Sequence, residues 1–150
     1  MPTREAILCD AGPLIALLNR RDPYHKSCVA LIQQTSARQL WTPLACFIEA
    51  SYLLQKRIGS FALEKLWGMW ESDVLSILVP SYENLRRIAA LIRQYRDMGM
   101  DFADASLVAA AEETGIRTVL TVDSHFYAYR LSDGSSLDVL LGRPETAGQG

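Results

Sequence analysis

The chain has 150 residues, of which 49% are hydrophobic and 21% charged, with a formal net charge of −2. That length suits one domain with a substantial core, and the balance excludes both extended disorder and a globally basic nucleic-acid binder. Cys9, Cys28 and Cys46 are an odd number without CxxC spacing, each in an apolar setting, and read as free thiols in a reducing cytosol. The N-terminus reaches an aspartate before a long apolar run can form, and no run nears the ~18 apolar residues of a membrane span, so a cytoplasmic protein with no membrane association is expected.

AILCD, residues 6 to 10, is a short apolar run suited to a buried parallel strand. LIALLN then reads as the opening of a helix, DPYH as a turn, and SCVALIQQ as the periodic part of a second helix ending near Thr35. QLWTP, 39 to 43, is expected as a strand, with Thr42 as N-cap and Pro43 as first residue of a helix through LACFIEASYLLQK, ended by Gly59. A helix carrying Phe61, Leu66, Trp67 and Trp70 follows, then a strand over 74 to 80. Ser81 with Asn84 opens a helix whose apolar positions Leu85, Ile88, Leu91 and Ile92 recur at helical spacing. GMDFADASLVAAAEETG supplies the next helix, TVLTVD a strand, and LDVLL a last strand. Strands alternating with helices predict an α/β fold on a mainly parallel sheet. One domain over 1–141 is expected, with a flexible tail over 142–150 and no internal repeat.

The acids stand out against this pattern. Asp10 and Asp123 each close a predicted strand, where open parallel sheets place their ligands. Asp104 shares a helix face with Leu107, Val108 and Ala111, and Glu49 one with Ala45, Cys46, Tyr52 and Leu53. Glu112 and Glu113 fit a solvated rim. A single acid on an apolar face is usually a cap or a paired carboxylate. Four together, with no lysine or arginine at matching positions, repel one another unless a hard divalent cation sits among them. Mg²⁺ and Mn²⁺ prefer such oxygen donors, and one or two ions there suit hydrolysis of phosphodiesters by activated water. Setting the four acids aside leaves the remainder of the chain net positive, so a local basic rim remains possible.

The order and setting of these residues resemble the PIN domain, specifically the VapC-type toxins. LCDAGPLIALLNRRDPYH, TPLACFIEASYLL, MDFADASLVAAAEETG and VLTVDSHFYAYR correspond to four family blocks in order, covering about residues 6 to 131. The resemblance implies a three-layer α/β/α fold and a Mg²⁺- or Mn²⁺-dependent endoribonuclease, held inactive by a VapB-like antitoxin and forming a homodimer. It places Asp10, Glu49, Asp104 and Asp123 as the catalytic acids, with Asp10 and Asp104 the main metal ligands. Asp101 competes for the third position but reads as an N-cap or supporting residue. Two departures are evident. Gly12 stands where many relatives have serine or threonine, and His125 where a second aspartate often precedes the phenylalanine.

Other candidates are weaker. Thr121 shares a strand face with Asp123 and can orient a carboxylate, or reflect only β-propensity. Arg130, Arg20, Arg21, Lys56 and Arg57 are candidates for RNA phosphate, or plain surface charge. His25 fits a helix start, His125 packing or substrate contact, and neither has metal-ligand spacing. Phe61, Trp67 and Trp70 fit a core or a protein interface. A PIN-like RNA- or protein-binding module without catalysis is the alternative. A phosphotransfer receiver is disfavoured, since Lys26, Lys56 and Lys65 all fall in helical stretches.

Overall fold

The computed structural model describes residues 6–37 and 39–146. Its elements run β1 (Ala6–Cys9), α1 (Ala11–Leu18), α2 (His25–Gln33), β2 (Gln39–Pro43), α3 (Leu44–Arg57), α4 (Ser60–Glu71), β3 (Leu75–Leu78), α5 (Tyr82–Gln94), α6 (Phe102–Thr114), β4 (Thr118–Thr121) and β5 (Asp138–Leu141). Short 3₁₀ turns cover Arg96–Met98 and Ser124–Tyr127. The five strands form one sheet in the order β3-β2-β1-β4-β5, and every pair is parallel.

Two successive crossovers lead outward from β1 to β2 and β3, and the third returns across the sheet to β4. The right-handed rule for such crossovers puts α1, α2 and α4 on one side and α5 and α6 on the other. Helix α3 contacts α1 and α4 but also α6, so it touches both helical layers. This is a three-layer α/β/α fold. The sequence of β1 explains its place: all four residues of AILC are buried, as a central strand covered on both faces requires. No helix among the described residues is long and apolar enough to cross a membrane.

Several local expectations change. Helix α1 starts at Ala11, because Asp10 itself is the N-cap and Pro13 falls in the first turn, where a missing N–H costs nothing. Thr42 is not a cap. Its strand continues to Pro43, which pairs with Leu78, and the buried Thr42 hydroxyl donates to the Cys9 carbonyl at 2.8 Å. Pro43, extended at ψ 148°, takes the N-cap position of α3. Glu112 is not in free water: it accepts from Arg87 Nε at 2.7 Å and Nη2 at 3.1 Å, and from the Ser132 N–H at 2.6 Å. That ion pair ties α5 and α6 to the loop before β5, and its bonds hold the Glu112 carboxyl below its ordinary range despite burial.

Ser81 and Asn84 do form a reciprocal capping box at the start of α5. Gly115, left-handed at φ 75°, ends α6 as an αL cap. After β5, the Gly142 N–H donates to the Thr121 carbonyl, the Arg143 N–H to Ser27 Oγ and the Glu145 N–H to the Pro23 carbonyl. Residues 147–150 of the expected tail lie outside the described residues.

Candidate active site

The sheet order reverses between β1 and β4, so the carboxyl ends of these two strands flank the crevice where α/β sheets hold ligands. Asp10 follows β1 and Asp123 follows β4. The Asp10 carboxylate is 9% exposed. Its Oδ1 accepts from the Ala11 N–H at 2.8 Å and its Oδ2 from the Thr121 hydroxyl at 2.7 Å, with the Cys46 thiol 3.7 Å from Oδ1. Burial pushes this carboxyl above its ordinary pKa; the Thr121 and Ala11 bonds pull it down, and the Asp123 charge raises it.

Thr121 is wholly buried and uses its hydroxyl twice. It donates to Asp10 and accepts the Asp123 N–H at 3.1 Å, so one side chain joins the two strand-end acids. Asp123 caps the 3₁₀ turn that follows it, accepting from the His125 N–H at 2.9 Å. The His125 ring stands 3.0 Å away through Nδ1, more than half exposed, so the departure at that position puts an imidazole on the fourth acid.

Asp101 and Asp104 open α6 as a reciprocal pair. Asp101 Oδ1 accepts the Asp104 N–H at 2.8 Å, and Asp104 Oδ2 accepts the Asp101 N–H at 3.1 Å. Asp101 is therefore the N-cap, and exposed. Asp104 is half-buried, one turn before the buried Leu107 and Val108. Burial lifts its pKa to about 7; the Asp101 N–H opposes this, and the charges of Asp101 and Asp10 reinforce it. Glu49, on an exposed position of α3, is also raised, by partial burial first and then by Asp10 and Asp101.

Asp10 is thus within electrostatic reach of Glu49, Asp104 and Asp123, and Asp101 within reach of Glu49 and Asp104. Among the described residues none is paired with lysine or arginine. One further group faces this charge. The Tyr129 hydroxyl is buried without a hydrogen-bond partner among the described residues, while its ring meets Tyr95 and Phe126 edge-on at 5.0 and 5.1 Å. Burial raises the phenol well above its ordinary pKa, and Asp104, Asp123, Asp101 and Asp10 add to the rise.

Tyr129 and Cys46 were not legible as site residues. Tyr129 lies two residues beyond the 3₁₀ turn and is buried with Phe126, and no local pattern in the sequence marks it. Arg130 is exposed and engaged locally, its Nη1 donating to the Tyr127 and Tyr129 carbonyls at 2.8 and 3.0 Å. His25 sits 2.7 Å from the Ala16 carbonyl, linking α2 to α1. Trp67 meets Phe47 and Trp70 edge-on, whereas Phe61 is 73% exposed. Lys56 lies over the Tyr52 ring, while Arg20, Arg21 and Arg57 line a separate cleft.

Gly12 also has a structural reason. A Cβ built there would meet Val122 Cγ2 at 2.7 Å, so Val122 fills the space a side chain would need.

Among the described residues no three His, Cys, Asp or Glu donors are set to grip one ion. The donor chemistry nevertheless fits a hydrated hard cation. All the acid donors are oxygens, they repel one another, and a buried phenol lacks the partner that an ordered water would supply. Mg²⁺ in such sites is held by one or two carboxylates and keeps several waters.

Fold and site together define an α/β domain with acidic side chains gathered at the switch point of a parallel sheet. The PIN domain model matches residues 7–131, and the chain belongs to that family. It is 26% identical over 140 residues to Ribonuclease VapC26 of Mycobacterium tuberculosis (strain ATCC 25618 / H37Rv), covering 89% of this chain and 99% of that protein. The crystal structure of Mycobacterium tuberculosis VapC20, a Sarcin-Ricin loop cleaving toxin, is similar with a TM-score of 0.75 and 20% identity, over 89% of this chain and 98% of its own. A toxin–antitoxin complex from Klebsiella pneumoniae is similar with a TM-score of 0.62 and 20% identity, over 81% and 90%.

Proposed function

We propose that this PIN domain is an endoribonuclease that hydrolyses RNA phosphodiester bonds with Mg²⁺ or Mn²⁺, and that it is the toxin of a toxin–antitoxin pair. The observation that carries the reading is that the Asp10 charge, at the end of β1, raises the pKa of Glu49 and Asp104 and the Asp123 charge raises that of Asp10, with no lysine or arginine among the described residues paired to any of them. The ribonuclease relative supports the reaction class, and the toxin–antitoxin neighbour supports a small antitoxin as partner. A homodimer is part of the proposal and is checked by analytical ultracentrifugation.

Asp10 and Asp104 would hold the ion, with Glu49 and Asp123 completing the site. When bound, such an ion stabilises charge on the scissile phosphate and provides activated water. The chain supplies the rest. Thr121 and the Ala11 N–H immobilise both oxygens of Asp10. Asp104, with a pKa of about 7, is about half protonated near neutrality and would have to give up that proton to serve as a ligand. The Tyr129 hydroxyl, buried beside these acids, is suited to a hydrogen bond with an ordered water.

The test is cleavage of a labelled RNA with Mn²⁺ by the wild type and by Asp104→Asn and Asp10→Asn. Cleavage by the wild type and its loss in both variants is expected; full activity in Asp104→Asn removes the proposal as written. One observation favours the alternative of a non-catalytic binding module: among the described residues no three donors are preset for an ion. Calorimetric titration separates the two, since a module shows no saturable Mn²⁺ binding near neutral pH.

A further inference from the structure

A second charged feature lies away from the acids. The turn after α1 and the α3–α4 corner enclose an open cleft of about 480 Å³, lined by Arg20, Arg21, Arg57 and Lys65 with Asn19 and Phe61 between them. No acid lines it. Among the described residues none of the four cations is in an ion pair, in a chain with 17 acids and 15 lysines and arginines. Cations left clustered and unneutralised raise the local potential and draw an anion. The presentation is built: Asn19 Oδ1 accepts the Arg21 N–H at 3.1 Å, and the Asp22 N–H donates to the Asn19 carbonyl at 2.9 Å, fixing the turn that carries both arginines. Phe61 is 73% exposed and Lys65 Nζ lies 4.8 Å from its ring centroid, an aromatic face beside a cation.

The position relative to the acids is set by two helices. Asp10 caps the start of α1 and Asn19 its end. Glu49 and Arg57 both lie on α3, eight residues apart, which is ~12 Å along a helix axis. The cleft is therefore too far to bind the scissile phosphate and near enough to hold another phosphate of the same strand. Clustered acids repel RNA, so attraction for the strand has to come from flanking cations. Arg130, adjacent to the pocket in sequence, is already bonded to carbonyls.

We propose that the Arg20, Arg21, Arg57 and Lys65 cleft is a phosphate-backbone subsite for single-stranded RNA, with Phe61 as a stacking platform for one base. This rests on the ribonuclease reading and extends it to how the strand is held. Such sites combine a basic groove with aromatic faces, and bind with a salt dependence set by the number of phosphates neutralised.

The experiment uses full-length Asp104→Asn protein, which holds RNA without the proposed cutting, and a fluorescein-labelled single-stranded RNA of mixed sequence. Affinity is measured by anisotropy over a series of salt concentrations, with and without Arg57→Gln and Lys65→Gln together. Binding is expected to weaken at least ~10-fold, and the slope of log K against log salt to flatten by about 1.4 for two lost phosphate contacts. Arg57→Lys with Lys65→Arg restores most of both, and matching thermal melts show that the exposed substitutions leave the fold intact. Unchanged affinity and slope overturn the subsite. So does unchanged RNA binding with lost binding of a poly-glutamate peptide, which assigns the cleft to an acidic protein segment. Wild-type protein that binds RNA through these cations yet never cuts it retains the subsite and removes the nuclease reading.

Discussion

Replacing Asp104 by asparagine separates the cost of the acid from its use. Without a cation its carboxyl titrates at about 7 rather than 3.8. Between those values the native state holds a proton that the unfolded chain has released, so the unfolded state binds fewer protons and stability falls as pH rises. Fully counted, the shift amounts to about 4 kcal/mol at 1.36 kcal/mol per unit. Half-exposure and solvent screening reduce that to about 2 kcal/mol. Asparagine keeps the cap, because its carbonyl oxygen still accepts the Asp101 N–H. With a chelator at pH 8 the variant is thus expected to be more stable by about 2 kcal/mol, or about 4–8 °C in melting temperature for a chain this size. At pH 4 and below the two proteins melt together. Mn²⁺ at about 100 times its dissociation constant then adds about 2.7 kcal/mol to the wild type alone. Circular-dichroism melts from pH 4 to 8.5, with chelator and with Mn²⁺, read all three outcomes. A variant less stable than wild type at pH 8 in chelator, or equally stabilised by Mn²⁺, would refute the reasoning.

Thr121→Val leaves Asp10 Oδ2 and the Asp123 N–H without their buried partner, and is expected to cost about 2–3 kcal/mol in urea unfolding while lowering cleavage; Thr121→Ser restores both. Tyr129→Phe removes a buried hydroxyl that has no protein partner, so stability in chelator holds or rises by about 1 kcal/mol while Mn²⁺ affinity, measured by calorimetry, falls. An equal Mn²⁺ affinity would mean that the phenol only packs. Gly12→Ser forces a Cβ against Val122 Cγ2 and is expected to destabilise by about 1–3 kcal/mol, with Val122→Ala recovering much of the loss in the same melt.

The alternation of strands and helices, the burial of AILC, the Ser81–Asn84 box and the cap at Asp101 were all readable locally, because each depends on residues within one turn or one strand. So was the oddity of Asp104, since helical periodicity alone sets a carboxylate beside Leu107 and Val108. The Thr42 cap was misjudged because its hydroxyl donates instead to the Cys9 carbonyl, 33 residues away on β1, a partner no local rule contains. Glu112 looked solvated because its partner Arg87 lies 25 residues away on another helix.

Sequence by itself determined the type of each element and which side chains are chemically out of place, since those follow from short-range periodicity and from the cost of burying charge. Tertiary structure alone decided that Thr121 bridges Asp10 and Asp123, that Tyr129 is left without a partner, and that four cations from three segments share one cleft. Each depends on groups far apart along the chain, and only the crossover order of the sheet brings them within hydrogen-bonding or Coulombic range.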